Sequence, residues 1–212
     1  MKKYSLTLVL LSGLAAAGYH AAISTITPGI EKRMRQGHSY RDGCPVALKD
    51  LRYLRMSYRG FDGKDHTGEM IVHRSVAKNV TQVFRELYDS KYPIRKMVLV
   101  SRYGGSDWKS IEADNTSAFN CRVATGSGKW SKHAYGRAID INPIENPYIR
   151  PNGRISHKAS YKFKERKHKN GSPADRAMIV EGDKAQKIFL KYGWRWGAYF
   201  NGARDLQHFY RP

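Results

Sequence analysis

Between Ser75 and Tyr88 the apolar residues Val76, Val80, Val83, Phe84, Leu87 and Tyr88 recur every three or four positions. That spacing predicts a helix with one buried face, opened by Ser75 as a capping residue. A second helix is predicted through DKAQKIFLKYG, with Asp183 at its start and Gly193 ending it. Elsewhere the pattern is that of short strands and turns. EMIVH reads as a strand preceded by a turn in GFDGKDHTG, RKMVLVSRY as a buried strand, and GRAIDINP alternates polar with small or apolar residues as a strand does. SDWKSIEADNTSAFNCR reads as helix or loop leading back into extended chain. Helices and short strands follow one another without regular alternation, which points to an α+β fold.

The chain has 212 residues, enough for one domain with a real core. Its first residues, MKKYSLTLVLLSGLAAAGYHAA, place two lysines before an apolar run and then small residues, the layout of a secretory signal peptide. The run is shorter than the ~20 residues of a spanning helix, and an uncleaved anchor is the alternative. The expected organisation is a signal peptide or anchor over 1–22, a basic linker over 23–42 and one domain over 43–212. Two cysteines occur, Cys44 and Cys121. In an exported protein an even count suggests a disulfide, the alternative being two buried thiols.

Lys and Arg number 38 against 18 Asp and Glu, a formal net charge of +20. Such a surface favours anionic partners, whether nucleic acid, anionic lipid or acidic wall polymer. HKASYKFKERKHKNGS concentrates cations in what reads as an exposed loop or insertion. The aromatic residues are not interleaved with cations as a base-stacking surface would require, so no nucleic acid partner is expected.

One stretch carries more specific chemistry. WSKHAYGRAIDINP holds His133 and Asp140, with Gly136 and Ala138 letting the backbone fold tightly between them. RDLQHFYRP near the other end holds Asp205 and His208. Zinc in a hydrolase takes three protein ligands and keeps one position open. A further carboxylate must move the proton. Two histidines and two aspartates meet that need.

SKHAYGRAID fits Ser-x-His-x-x-Gly-x-Ala-x-Asp and DLQHF fits Asp-x-x-His. Together they resemble the zinc D-alanyl-D-alanine carboxypeptidase family, which also holds D-Ala-D-Ala dipeptidases and L-alanyl-D-glutamate endopeptidases. GEMIVH, DNTSAFNCR, DINPIENPYI and GWRWG extend the likeness over most of the chain. The resemblance implies one zinc ion held by His133, Asp140 and His208, with Asp205 as the catalytic acid/base. It implies Arg122 facing the substrate carbonyl or carboxylate and Ser131 binding substrate or orienting His133. Trp194 and Trp196 are expected to line or buttress the cleft. The implied fold is a small antiparallel sheet flanked by helices, the zinc DD-peptidase or Hedgehog N-domain-like fold. The implied substrates are peptidoglycan stem peptides, with anionic cell-wall polymer as a further partner. Two departures stand out. Tyr210 occupies a position where relatives carry an acid, and GAYF replaces Gly-Gly-x-Trp. The readings left open are carboxypeptidase, endopeptidase and a non-catalytic basic wall-binding protein.

Overall fold

The structure, a computed structural model, describes residues 18–124 and 126–212. The apolar run of the expected signal peptide lies outside the described residues, and no helix among these is long and apolar enough to cross a membrane. The elements run in the order β1 (Ala21–Thr25), α1 (Pro28–Gln36), β2 (Leu51–Gly60), β3 (Asp65–His73), α2 (Ala77–Asp89), β4 (Pro93–Ile94) and α3 (Asp107–Glu112). They continue with β5 (Ala138–Asp140), β6 (Tyr148–Ile149), α4 (Pro173–Ala177), α5 (Lys184–Lys191), β7 (Arg195–Trp196), β8 (Arg204–Asp205) and β9 (His208–Tyr210). Helices mixed with small, mainly antiparallel sheets are the α+β arrangement expected.

β2 is the frame. β1 and β3 flank it antiparallel, from Leu51↔His73 to Arg59↔Asp65 on the β3 side, and β4 pairs with its far end in parallel. Because side chains alternate along a strand, its two faces enter two cores. Leu54, Met56 and Tyr58, with Met70 and Val72 of β3, pack with Val80, Val83, Phe84 and Leu87 of α2. Leu51 and Ile71 point the other way, toward Met34 of α1, Phe119 and Cys121.

Residues 23–42, expected as a linker, are therefore largely folded. β1 joins the sheet, and α1 buries Met34 while its Arg33 makes a two-pronged ion pair to Glu69 at 2.8 and 2.6 Å. Cys44 and Cys121 form a disulfide beside this second core.

Three expectations about elements are corrected. Ser75 does not cap α2; the residue before the helix is Val76, and the Ser75 hydroxyl meets His73 Nδ1 at 2.7 Å instead. RKMVLVSRY is buried but not a strand. An asparagine side chain takes the place of a neighbouring strand there: Val98 N–H donates to Asn115 Oδ1 at 2.9 Å, and Asn115 Nδ2 donates to the Val98 carbonyl at 3.0 Å. The basic insertion is not wholly an exposed loop. It turns through Lys158–Phe163 and buries Phe163, and Arg166 donates to the carbonyls of Glu145, Phe163 and Ile179 and to Asn146 Oδ1.

Candidate metal centre

β5 and β9 pair so that Asp140 lies directly opposite His208. Directly opposed residues of an antiparallel pair project on the same face, so register alone brings the carboxylate to the imidazole. β9 is held in place by its next residue. Phe209 is fully buried, stacked on Phe189 at 3.9 Å and on Trp196 at 6.0 Å between ring centres.

His133 arrives from a 3-10 turn, Lys132–Tyr135. Ser131 caps that turn, its hydroxyl accepting the His133 N–H at 3.3 Å. Gly136 ends the turn at φ 64°, and a Cβ there would come within 2.6 Å of the His73 nitrogen. That backbone approach is used, because His73 N–H donates to the Gly136 carbonyl at 2.8 Å. Only glycine meets both demands, the left-handed conformation and the space.

The donors converge. His133 Nε2 lies 3.1 Å from Asp140 Oδ2, and His208 Nδ1 lies 3.0 Å from Asp140 Oδ1. The two imidazole nitrogens are 3.1 Å apart, and all three residues are buried. Zinc–nitrogen and zinc–oxygen bonds of ~2.0–2.2 Å in a tetrahedron put ligand atoms roughly 3.3 Å apart. The observed spacing fits a cation shared among the three. His133 Nδ1 faces the Ala118 carbonyl at 2.6 Å, so its proton sits there and the Nε2 lone pair is left for the centre. Ala118 is itself fixed: Ser117 and Asp140 exchange backbone hydrogen bonds of 2.9 and 2.8 Å on one side, and Phe119 N–H reaches Ile71 on the other.

Burial opposes ionisation of Asp140, but His133 and His208 outweigh it and hold its carboxyl well below the usual carboxylate range. Burial likewise opposes a charge on His133, and the Asp140 carboxylate more than offsets it.

Asp205 sits on β8, one turn before His208, rather than on a helix with it. Burial, reinforced by Asp140 and opposed by His208, pushes its carboxyl up to about 6. Its Oδ1 is buried without a hydrogen-bond partner among the described residues, as is Gln207 Oε1 two residues on. A carboxylate poised near neutrality beside a cluster of metal donors is placed to move protons.

Arg122 acts on His133 through its charge and is held by Asp107, whose Oδ2 lies 2.9 Å from Arg122 NH2. Its Nε is buried and free of partners among the described residues, a donor left for an anionic or carbonyl oxygen. Trp194 and Trp196 pack in the core behind the site, Trp196 against Phe209. They are 2% and 4% exposed, and their indole N–H groups donate to Asn79 Oδ1 and to the Leu206 carbonyl. Tyr210 is half-buried against Phe200, with Lys132 Nζ 4.4 Å above its ring.

Three contributors escaped the sequence reading: the Ala118 carbonyl, Asp107 and Gly197. A Cβ on Gly197 would lie 2.6 Å from the Asp205 carbonyl oxygen and 3.1 Å from His208 Cβ, so this glycine lets β8 and β9 approach. The only signal for it was its place at the end of GWRWG. The other two carry no signal in a single sequence.

No curated protein and no solved structure matches the chain. Residues 125–211, which hold His133, Asp140, Asp205 and His208, match the family model described as D-alanyl-D-alanine carboxypeptidase, the family that the paired motifs resemble.

Proposed function

We propose that this protein is an exported zinc peptidase that hydrolyses peptide bonds in peptidoglycan stem peptides, with the terminal D-Ala-D-Ala bond as its first substrate. The observation that carries the reading is the convergence of His133, Asp140 and His208 within 4.8 Å of one another, with the half-buried Asp205 alongside and its Oδ1 enclosed.

His133 Nε2, His208 Nδ1 and an Asp140 oxygen would hold the metal. When bound, zinc supplies Lewis acidity, lowering the pKa of water and polarising a carbonyl. Asp205 takes the proton of the attacking water as its oxygen adds to the carbonyl carbon. It then returns that proton to the amine nitrogen as the C–N bond breaks. Its raised pKa suits both steps, since a carboxyl near 6 can both accept and release a proton close to neutral pH. Arg122, steadied by Asp107, offers N–H donors to the oxygen on which negative charge builds. Ser131 and the Ala118 carbonyl keep His133 in the orientation and tautomer that metal binding needs.

Export rests on the N-terminal sequence pattern and fits the disulfide, which forms in oxidising compartments. The basic surface favours a polyanionic wall and the free carboxylates of stem peptides. The test is release of D-alanine from a stem pentapeptide by the purified chain. Release that stops on chelation and returns with zinc supports the proposal. A zinc-loaded chain that binds the wall but frees no amino acid supports a non-catalytic binder instead.

A further inference from the structure

Apart from the metal centre, the structure carries a cavity of about 520 Å³ lined by Ile23, Arg52, His73, Arg74, Ser75, Ala77 and Lys78. It contains none of the metal-donor residues, although the His73–Gly136 backbone bond joins its wall to the turn that carries His133. Its lining holds three permanent cations and no carboxylate. A fourth cation, Arg137, reaches it through Ser75, with NH2 3.0 Å from the Ser75 hydroxyl.

Compensation is sparse. Arg74 pairs with Asp50 at 2.9 Å, and Arg137 NH1 donates to the Pro212 carbonyl at 2.8 Å. Among the described residues Arg52 donates only to the carbonyls of Lys49 and Leu51, and Lys78 has no ion pair. His73 registers the crowding: burial, Arg137, Arg74 and Arg52 all push its pKa down, and only Asp50 opposes them. Like charges gathered around one hollow repel each other unless an anion enters it. A second cavity of about 490 Å³ has Asp175 and Asp183 in its lining, so its charge is mixed and it makes no comparable demand.

We propose that the Arg52–His73–Arg74–Lys78 cavity binds the phosphate group of a phosphoester. Two guanidinium forks and an ammonium suit a tetrahedral anion with several acceptor oxygens better than a planar carboxylate. The Ser75 hydroxyl adds a further polar contact. The volume exceeds that of a bare ion, and Ile23 and Ala77 give the ester substituent an apolar wall.

The test follows the His73 ring protons by NMR in the full chain at physiological ionic strength, titrated with inorganic phosphate and with glycerol phosphate. Saturable shifts are expected, with the His73 pKa rising on saturation, because an anion among Arg52, Arg74, Arg137, Lys78 and Asp50 favours the imidazolium. Arg52→Ala and Lys78→Ala should each weaken binding by about tenfold. Lys158→Ala with Lys162→Ala, which removes twice the charge of either single variant but elsewhere, should leave it unchanged. Phosphatidylglycerol vesicles, with phosphatidylcholine vesicles as control, identify the source. Vesicles that reproduce the His73 shift and are displaced by inorganic phosphate mark a lipid headgroup, and vesicles that leave His73 unmoved mark a soluble phosphoester. Absence of a saturable His73 shift, or equal weakening by the Lys158/Lys162 pair, overturns the proposal. None of these readouts uses peptidase activity, so the result stands apart from the proposed function.

Discussion

Gly197→Ala should damage catalysis without unfolding the chain. The new Cβ would sit 2.6 Å from the Asp205 carbonyl oxygen, 3.0 Å from Asp205 Cβ and 3.1 Å from His208 Cβ. Ordinary contact begins near 3.4 Å, so the Asp205 backbone must retreat by about 0.8 Å, and His208 by a few tenths of an ångström. Relief in the other direction is blocked by Trp196, whose neighbouring indole is buried and bonded to the Leu206 carbonyl at 2.9 Å. Overpacking of this kind costs about 1–3 kcal/mol of stability. Misplacing a catalytic group by about 1 Å costs on the order of a hundredfold in rate. The expected result is therefore a fall of about a hundredfold in kcat/KM for D-alanine release, with near-UV circular dichroism unchanged and zinc still bound. A variant that stays folded and keeps kcat/KM within about threefold of wild type would refute the claim that Gly197 sets the position of Asp205.

Other consequences are open to measurement. Glu145 is buried against Asp114, and burial, then Asp114, push its carboxyl up to about 9. The folded chain thus holds a proton that the unfolded chain releases near 4.5, and the stability contributed by that proton is lost as pH rises from there toward the raised value. Glu145→Gln, which keeps a donor for Asp114, should flatten this slope in denaturant titrations; an unchanged slope would assign the alkaline loss to other groups. Cys44→Ser with Cys121→Ser frees a loop closed over a sequence separation of 77, a chain-entropy change equivalent to about 4.5 kcal/mol. Its urea midpoint should drop accordingly, and a midpoint equal to wild type would contradict a stabilising bridge. Asp140→Asn removes the anion that links both histidines, so zinc affinity measured by competition with a chelating dye should fall by at least about a hundredfold. Retained affinity would remove Asp140 from the ligand set.

Much of the site was legible because its chemistry is written in spacing. His133 and Asp140 stand seven residues apart on either side of a glycine that permits the turn, and Asp205 and His208 recur as a second compact group. What the spacing could not give was the mechanism of convergence. The pairing of Asp140 with His208 is a matter of strand register, which depends on β5, β7 and β9 closing together around Phe209. An indole beside a motif can wall a cleft or pack behind it, and the motif alone does not choose between the two. Yet Trp194 and Trp196 are two apart in extended chain, which turns both to one face, and that face is the core. The stretch 95–103 was misread for a related reason. Its apolar content records burial, whereas both backbone groups of Val98, at its middle, bond the Asn115 side chain, a partner that no periodicity reveals. Residues 23–42 looked like a linker because their charge masks a single buried methionine, Met34, that anchors α1 to the second core.

Digestion of purified muropeptides by the zinc-loaded chain and by its Asp205→Asn variant, read by mass spectrometry, tests the central claim most directly. The account predicts loss of one terminal alanine from pentapeptide stems with wild type, and a decrease in that rate of at least about a hundredfold in a variant that still binds zinc. Cleavage between the first alanine and the glutamate would keep the peptidase and change its bond. Intact muropeptides despite bound zinc, or equal rates for wild type and Asp205→Asn, would contradict the account.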